Sequence, residues 1–392
     1  MSIFPGGPPV RVGVIGSGFV ARHFVRELLR RSDYCLSHVL TRRPVKTCTE
    51  FPYVEALVND LEVLIEDSDV VFECTGDTYF AASTLGTILD AGIPVVTLNS
   101  EFHCTIGSHY VGRGILSEAD GDQPGCLASL HEDALAMGFT PLVCANMKAF
   151  LNPDPKPEDM AYWAEKQKFS LPMVTAFTDG TKVQIEQCLV ANGLGLDIAR
   201  RGLLGLRAPD LVTAAAELGR VAERHGAPIS DFMLDRSVHH GVFIVAKHDD
   251  YQKIALLNYK MGEGPYYLLV RDYCLVHLEV FKTIERVLRT GRPLLNNGRF
   301  PKISVASVAK RDLRPGETIL RGAGSFDLRG ECVRMQDEPD HLPICLANEI
   351  TLRHPVERGQ LLSLDDVDLP ESDALSAWCA ITERSPVPVT SL

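Results

Sequence analysis

From its amino end the chain alternates short apolar runs with segments whose apolar residues recur every three to four positions. Arg11–Ile15 (RVGVI) reads as a strand and Phe19–Leu29 (FVARHFVRELL) as an amphipathic helix. Leu36–Leu40, Val70–Cys74 and Ile93–Leu98 repeat the strand pattern, and helices are expected over Ala56–Glu66 and Tyr79–Ala91. Strands at this spacing with helices between them predict a parallel sheet covered on both faces. Gly114–Glu118 and Thr140–Ala145 are expected to extend that sheet.

The run Asn152-Pro-Asp-Pro-Lys-Pro157 breaks the alternation. Proline at this density removes backbone donors and reads as a linker. Beyond it, helices are predicted at Thr181–Asn192, Leu211–Arg224 and near Leu278–Leu288, with strands at Val242–Lys247 and Tyr266–Val270. The Tyr266-Tyr267 pair reads as β core. From about Phe300, short apolar runs lie between Pro-Gly turns, which suggests a small, mostly β unit.

Composition narrows the classes. Of 392 residues, 45% are hydrophobic and 23% charged, as in a globular protein. The formal net charge is −12 and no Lys/Arg block occurs, so nucleic-acid and anionic-membrane partners are not expected. The 11 cysteines include no Cys-x-x-Cys pair, and the amino end MSIFPGGPPV has no basic or long apolar region. These features predict reduced thiols in the cytoplasm, with no zinc site and no membrane span.

The first chemical motif is Gly16-Ser-Gly18-Phe19-Val20-Ala21, closing a strand and opening a helix. That is the setting of a dinucleotide fingerprint: Gly16 for the tight turn, Gly18 for approach of the pyrophosphate, Ala21 for close helix–strand packing. The second strand ends in Thr41-Arg42-Arg43 with no acid to bind a ribose hydroxyl. Guanidinium groups there suit a 2′-phosphate, so NADPH is expected over NADH. Thr75, Gly76, Asn99 and Glu101 follow later strands, and Asp122 and Gln123 precede a helix; all are candidates for the nicotinamide end. The expected fold is therefore α/β: a Rossmann unit over residues 1–150, an α+β catalytic and oligomerisation unit over 151–300, and a mostly β unit over 301–392.

The stretch Phe177–Glu186 (FTDGTKVQIE) combines an Asp-Gly turn, a lysine and a helix start. Free amides at a helix start can hold a phosphate or carboxylate. It could equally be a capped surface helix with one Lys182–Glu186 pair.

Taken in order, the Rossmann start, GDQPG (Gly121–Gly125), F-x-DGTK, ANGLG (Ala191–Gly195), GPYYLLVRDY (Gly264–Tyr273) and AKRDLRPGE (Ala309–Glu317) resemble the homoserine-dehydrogenase-like oxidoreductases with a C-terminal SAF (antifreeze-like) domain. The best-known relatives are the deoxyxylulose-phosphate reductoisomerase-like enzymes. The resemblance spans nearly the whole chain. It implies NADPH-dependent hydride transfer in a site between the first two units, often in a homo-oligomer, here a dimer or tetramer. It implies that the SAF-like unit covers the site or supports assembly. Three positions depart from the pattern: Asn99-Ser100 replaces an Asn-Lys of homoserine dehydrogenases, Ala145-Asn-Met-Lys148 keeps only the last lysine of a Gly-Lys-Gly-Lys stretch, and Cys274 stands where a histidine is usual.

Reducing a carbonyl needs a proton for its oxygen as well as the hydride. Lys148 or Lys182 is the expected acid, with Asp179 positioning it or binding a substrate hydroxyl, and Glu186 orienting Lys182. Glu186, Asn192, His240 and Arg271 are candidate substrate ligands. A divalent cation, with Asp179 and Glu186 as possible ligands, would serve a reaction that also rearranges the carbon skeleton. His239-His240 fits a structural role better than a metal pair, since neighbours on a strand face opposite ways. The leading expectation is a reductase or reductoisomerase of a small polyhydroxylated, phosphorylated carbonyl compound. A homoserine-type amino- or hydroxy-acid dehydrogenase and an NADPH-binding regulator are the alternatives.

Overall fold

A computed structural model describes residues 7–236 and 240–383. Six strands form the first sheet: β1 (Val10–Ile15), β2 (Tyr34–Leu40), β3 (Leu57–Val58), β4 (Val70–Glu73), β5 (Val95–Thr97) and β6 (Leu116–Glu118). Their order is β3-β2-β1-β4-β5-β6, all pairs parallel, the doubly wound order of a Rossmann sheet. The helix Phe19–Leu28 buries Ala21, Phe24, Val25 and Leu28, the stripe its sequence spacing predicts. The expected helix over Ala56–Glu66 is only Leu61–Glu66, capped by Asp60; the residues before it form β3.

The stretch expected to extend this sheet at Thr140–Ala145 does not join it. It is β7 (Thr140–Lys148), the middle of a second, mixed sheet with β8 (Leu206–Arg207), β9 (Ile229–Leu234), β10 (Gly241–Lys247) and β11 (Tyr267–Arg271), in the order β11-β10-β7-β9-β8. Alternation sorts its faces. Cys144, Val242, Ile244 and Ala246 pack towards the helix Thr181–Leu194, whereas Val143, Ala145, Phe243 and Val245 pack on Ala214, Leu218 and their neighbours in Leu211–His225. The helix Val276–Thr290 returns to the first sheet, where Phe281 stacks on Phe24 at 4.9 Å between ring centroids. Burying such a side chain contributes about 1.5–3 kcal/mol.

The remaining strands, β12 (Ile303–Ala309), β13 (Thr318–Ile319), β14 (Leu328–Arg334), β15 (Ile350–Leu352) and β16 (Val367–Asp368), make two small antiparallel sheets, β12-β14 and β13-β15-β16. The β12-β14 sheet packs on the helix Thr181–Leu194. Gly330 N donates to Thr181 Oγ1 at 2.9 Å and Cys332 N to Gln184 Oε1 at 2.8 Å. The final helix, Asp373–Thr382, buries Trp378 against the first sheet's flank. Among the described residues no helix is long and apolar enough to cross a membrane.

Candidate active site

At the end of β1, Gly16 has φ +116, a conformation that favours glycine. A side chain built on Gly18 would meet nothing within 4 Å, so the backbone at this helix start is open to a ligand. Phe19 is exposed, Val20 half-buried, and Ala21 buried in the core beside Val12 and Val14. These features fit a pyrophosphate on this turn.

Beside the turn, Leu40, Thr41, Arg42, Asn59 and Phe80 line a cleft of about 430 Å³. Arg42 lies over the Phe80 ring at 4.8 Å and pairs with Asp77 at 2.7 Å. The acid missing after β2 thus arrives from the turn after β4, held by Arg42. Arg43 folds back instead, donating to the Ser17 carbonyl and hydroxyl, both at 2.9 Å, while the Ser17 and Thr41 hydroxyls bond each other at 2.8 Å.

The buried carboxyl of Glu73 organises the next turns. Thr75 N donates to it at 2.7 Å and the Thr97 hydroxyl at 2.5 Å. Burial pushes this carboxyl up, against the pull of the hydroxyl donors. The Thr75 hydroxyl is also bonded to Glu73, and Gly76 is exposed with φ +63. The expected role of Asn99 in holding a ribose is corrected here: its side chain is buried, caps the next helix by accepting from Phe102 N at 2.9 Å, and donates to the Asp77 carbonyl at 3.2 Å.

Glu101 was expected on the cofactor; it grips Lys182. The Lys182 ammonium donates to both its carboxylate oxygens, at 2.9 and 3.0 Å. Burial works to lower the Lys182 pKa, but Glu101, Asp122 and Glu186 outweigh it and hold the ammonium charged well above the ordinary value. Glu186 therefore does not orient Lys182 through a hydrogen bond. It accepts from Lys148 Nζ at 3.0 Å and Asn146 Nδ2 at 2.7 Å. The meeting follows from the pleat. Asn146 and Lys148 share the β7 face that carries Cys144, and that face meets the helix bearing Glu186. Burial raises the Glu186 carboxyl; Lys148 opposes this, Asp122 adds to it and Lys182 opposes it again, so Glu186 feels both lysines.

Glu101 and Asp122 lie just past the carboxyl ends of β5 and β6, where open parallel sheets bind ligands. The Asp122 side chain makes no cap hydrogen bond although it begins the helix Gln123–Ala136. Gln123 Nε2 contacts the His240 ring at 3.0 Å. A side chain on Gly125 would strike the Ala119 carbonyl at 1.8 Å, which accounts for the second glycine of GDQPG.

Four other expectations are corrected. Asp179 does not position a catalytic lysine: Phe177–Asp179 ends the helix Leu171–Asp179, Gly180 joins it to the next at φ +89, and the buried Asp179 carboxylate pairs with Lys310 at 2.5 Å. Asn192 is not free for substrate, since it accepts from Lys302 N and Ile303 N at 2.9 and 3.0 Å and donates to Asn297 at 3.0 Å. Arg271 is not free for a phosphate: it pairs with Asp120 at 2.9 Å and with Glu279. Asp179 and Glu186 bind different lysines, so they form no cation site together. His239 lies outside the described residues.

Sequence reasoning missed a second buried pair. His103 Nε2 and Glu118 Oε2 stand 3.6 Å apart with neither side chain exposed. Burial takes the imidazole from 6.5 down to about 3. It lifts the Glu118 carboxyl well above 4.5, helped by Asp122 and Glu101 and opposed by Lys182. Glu118 ends β6, at the carboxyl edge of the first sheet, and that position was its one signal. Lys310 sat in plain view in AKRDLRPGE, but nothing local tied it to Asp179.

The family described as homoserine dehydrogenase, NAD binding domain, matches residues 16–103. The family described as oxidoreductase DRL, catalytic domain, matches residues 121–280. No curated protein matches the chain. Among solved structures, the chain is similar to a UDP-N-acetylglucosamine 3-dehydrogenase from Acidithiobacillus ferrooxidans (12% identity, 73% of this chain and 91% of that one, TM-score 0.42). It is also similar to an amine dehydrogenase from Mycobacterium smegmatis (12%, 71% and 91%, TM-score 0.40) and to a biliverdin reductase from Synechocystis (12%, 73% and 92%, TM-score 0.39). The two family matches make the chain an NAD(P)-dependent oxidoreductase.

Proposed function

We propose that the chain reduces a small polyhydroxylated carbonyl compound with NADPH, in a site built around Lys148 and Lys182. One observation carries this reading: both lysines come within electrostatic reach of the single carboxylate of Glu186, beside the carboxyl ends of β5 and β6. The bound reduced nicotinamide would supply hydride to the carbonyl carbon. Gly16, Gly18 and Ala21 would hold its pyrophosphate, and Arg42, at the mouth of the cleft, its 2′-phosphate.

The two lysines divide the remaining work. Lys182, kept charged by Glu101, suits stabilising negative charge on the carbonyl oxygen rather than giving up a proton. Lys148, bonded to Glu186, suits delivering the proton, and Glu186 holds its ammonium in place. Substrate hydroxyls would find acceptors in Asp122 and Glu186. We read the C-terminal β unit as SAF-like and as a brace for the Lys182 helix, and the working protein as a homo-oligomer.

A second reading has a specific observation behind it. Glu101, Asp122 and Glu186 outnumber the two lysines, and Arg271 is already paired. This balance suits a substrate ammonium better than a phosphate and supports an amino-acid dehydrogenase of homoserine type. Ketoses, ketose phosphates, aldose phosphates and homoserine with oxidised cofactor, followed at the NADPH absorbance band, separate the readings. Turnover of a ketose or its phosphate is expected; turnover of homoserine alone would reject the leading reading.

A further inference from the structure

Between the proline-rich loop and the Lys182 helix, the helices Pro157–Gln167 and Leu171–Asp179 form a pair that keeps much of its apolar surface outside. Of the first helix, Met160 alone is buried. Tyr162, Trp163, Leu171, Met173 and Phe177 are exposed, and so is Phe19 of the first unit. Single exposed apolar residues are ordinary, but a group of them on adjoining elements marks a contact surface.

Three rings show where this surface leads. Phe169, in the turn between the two helices, stands edge-on to Phe177 at 6.3 Å and edge-on to Phe19 at 6.0 Å between centroids. Phe19 follows Gly18, whose backbone is open to a cofactor diphosphate. The C-terminal β unit braces the pair: Asp154, just ahead of it, pairs with Arg358, and a side chain on Gly324 would strike the Pro172 carbonyl at 2.1 Å. Asn152 N donates to the Thr178 carbonyl at 2.8 Å, which ties the entry of the pair to its exit.

Charge points the same way. Amides at the Gly16–Gly18 turn offer hydrogen bonds but no full charge, and the neighbouring arginines are spent: Arg22 on Glu50 at 3.0 Å and Arg43 on Ser17. Lys168, next to Phe169, is exposed, and its ammonium forms no ion pair among the described residues. Its φ is +60, the left-handed conformation that closes the helix Pro157–Gln167. Glycine is the usual residue at such a helix end. A lysine accepts the strain and sets a cation beside the ring that touches Phe19.

We propose that this helix pair is the outer wall of the cofactor site: Phe169, with Phe19 and Phe177, covers the dinucleotide at the Gly16–Gly18 turn, and Lys168 pairs with its diphosphate. An aromatic wall keeps water from the phosphates, and in that setting one ammonium attracts them more strongly than on an open surface. The role differs from that of Arg42. Lys168 addresses a part common to NADPH and NADH, so it strengthens both and distinguishes neither. No particular carbonyl substrate is required.

The test titrates NADPH and NADH onto the full chain, followed by the fluorescence of the reduced nicotinamide. Lys168→Ala should weaken both cofactors about tenfold at low salt, the scale of one charged hydrogen bond, and by less at about 0.5 M salt. Lys168→Arg should bind as the parent does. Phe169→Ala should weaken both about threefold to tenfold. Phe169→Leu, which keeps apolar volume should the alanine variant fold poorly, should lose less. Limited trypsin digestion gives a second reading: either cofactor should slow cleavage after Lys166 and Lys168 and leave cleavage after the exposed Lys253 and Lys260 unchanged. Affinities within about twofold of the parent in Lys168→Ala would overturn the diphosphate contact, and the same result in Phe169→Ala would overturn the wall. A Lys168→Ala loss confined to NADPH would put the ammonium on the 2′-phosphate and overturn the assignment, as would unchanged cleavage after Lys168. Every readout is of binding, so a protein inactive on every carbonyl tried would strike the proposed function and leave the wall standing.

Discussion

The ammonium of Lys310 donates to the carboxylate of Asp179 across 2.5 Å, with 4% and 0% of the two side chains exposed. A second bond to the Ser325 carbonyl at 2.6 Å fixes the same ammonium. The pair joins the C-terminal β unit to the helix junction that launches Lys182. The motifs F-x-DGTK and AKRDLRPGE, far apart in the chain, are two halves of one contact.

Removing one partner of a buried ion pair leaves the other uncompensated and costs about 3–5 kcal/mol. Lys310→Ala should therefore lower unfolding stability by that amount in chemical denaturation. Neither residue lines the Arg42 cleft, so NADPH should still bind to the folded fraction with nearly unchanged affinity. A loss below about 1 kcal/mol, the level of an exposed pair, would contradict the structural role.

The His103–Glu118 pair makes a prediction about pH. Burial raises the Glu118 carboxyl above its ordinary 4.5 and lowers the His103 imidazole from 6.5 to about 3. As pH falls below 6.5 the unfolded chain takes up a proton on His103 that the native imidazole refuses, so this residue makes stability fall with acid. As pH rises above 4.5 the unfolded chain releases a Glu118 proton that the raised native carboxyl retains, so that residue makes stability fall with base, and the two effects oppose each other between 4.5 and 6.5. Glu118→Gln should remove the second effect and leave stability falling with acid from about 6.5, with a limiting slope of about 1.4 kcal/mol per pH unit. Melting curves across this range check it; an unchanged profile contradicts it.

Cofactor choice should separate the two arginines after β2. Arg42→Ala is expected to weaken NADPH about tenfold or more while sparing NADH, since a charged hydrogen bond to phosphate is worth about 1.5–3 kcal/mol before solvent screening. Arg43 braces the Ser17 turn, so Arg43→Ala should weaken both cofactors alike. Cofactor titrations by fluorescence decide the matter; equal losses of both cofactors in Arg42→Ala would remove the 2′-phosphate role.

Much of the first sheet was legible because continuous apolar strands and a glycine turn encode it locally. The fate of β7 was not, because an apolar strand carries no label for the sheet it joins. The two lysines stand out in sequence by residue type and neighbourhood, but their partners in the fold differ from the expected ones. Lys182 and Glu186 lie one helical turn apart, the natural local pair, but Glu101 and Lys148 reach them from other elements and win. Asn99, Asn192 and Arg271 look like ligand-binding residues in sequence. Their donors and acceptors are spent on caps, strand ends and carboxylates that only the tertiary fold brings near.

The most direct test of the lysine-centred site is Lys182→Ala in single-turnover NADPH oxidation with the substrate found by the panel. Hydride transfer should slow by about 10²–10³, the scale of losing one charge-stabilising donor, with the NADPH dissociation constant changed less than about twofold. Transfer at the parent rate, with the variant folded and saturated with NADPH, would contradict the account.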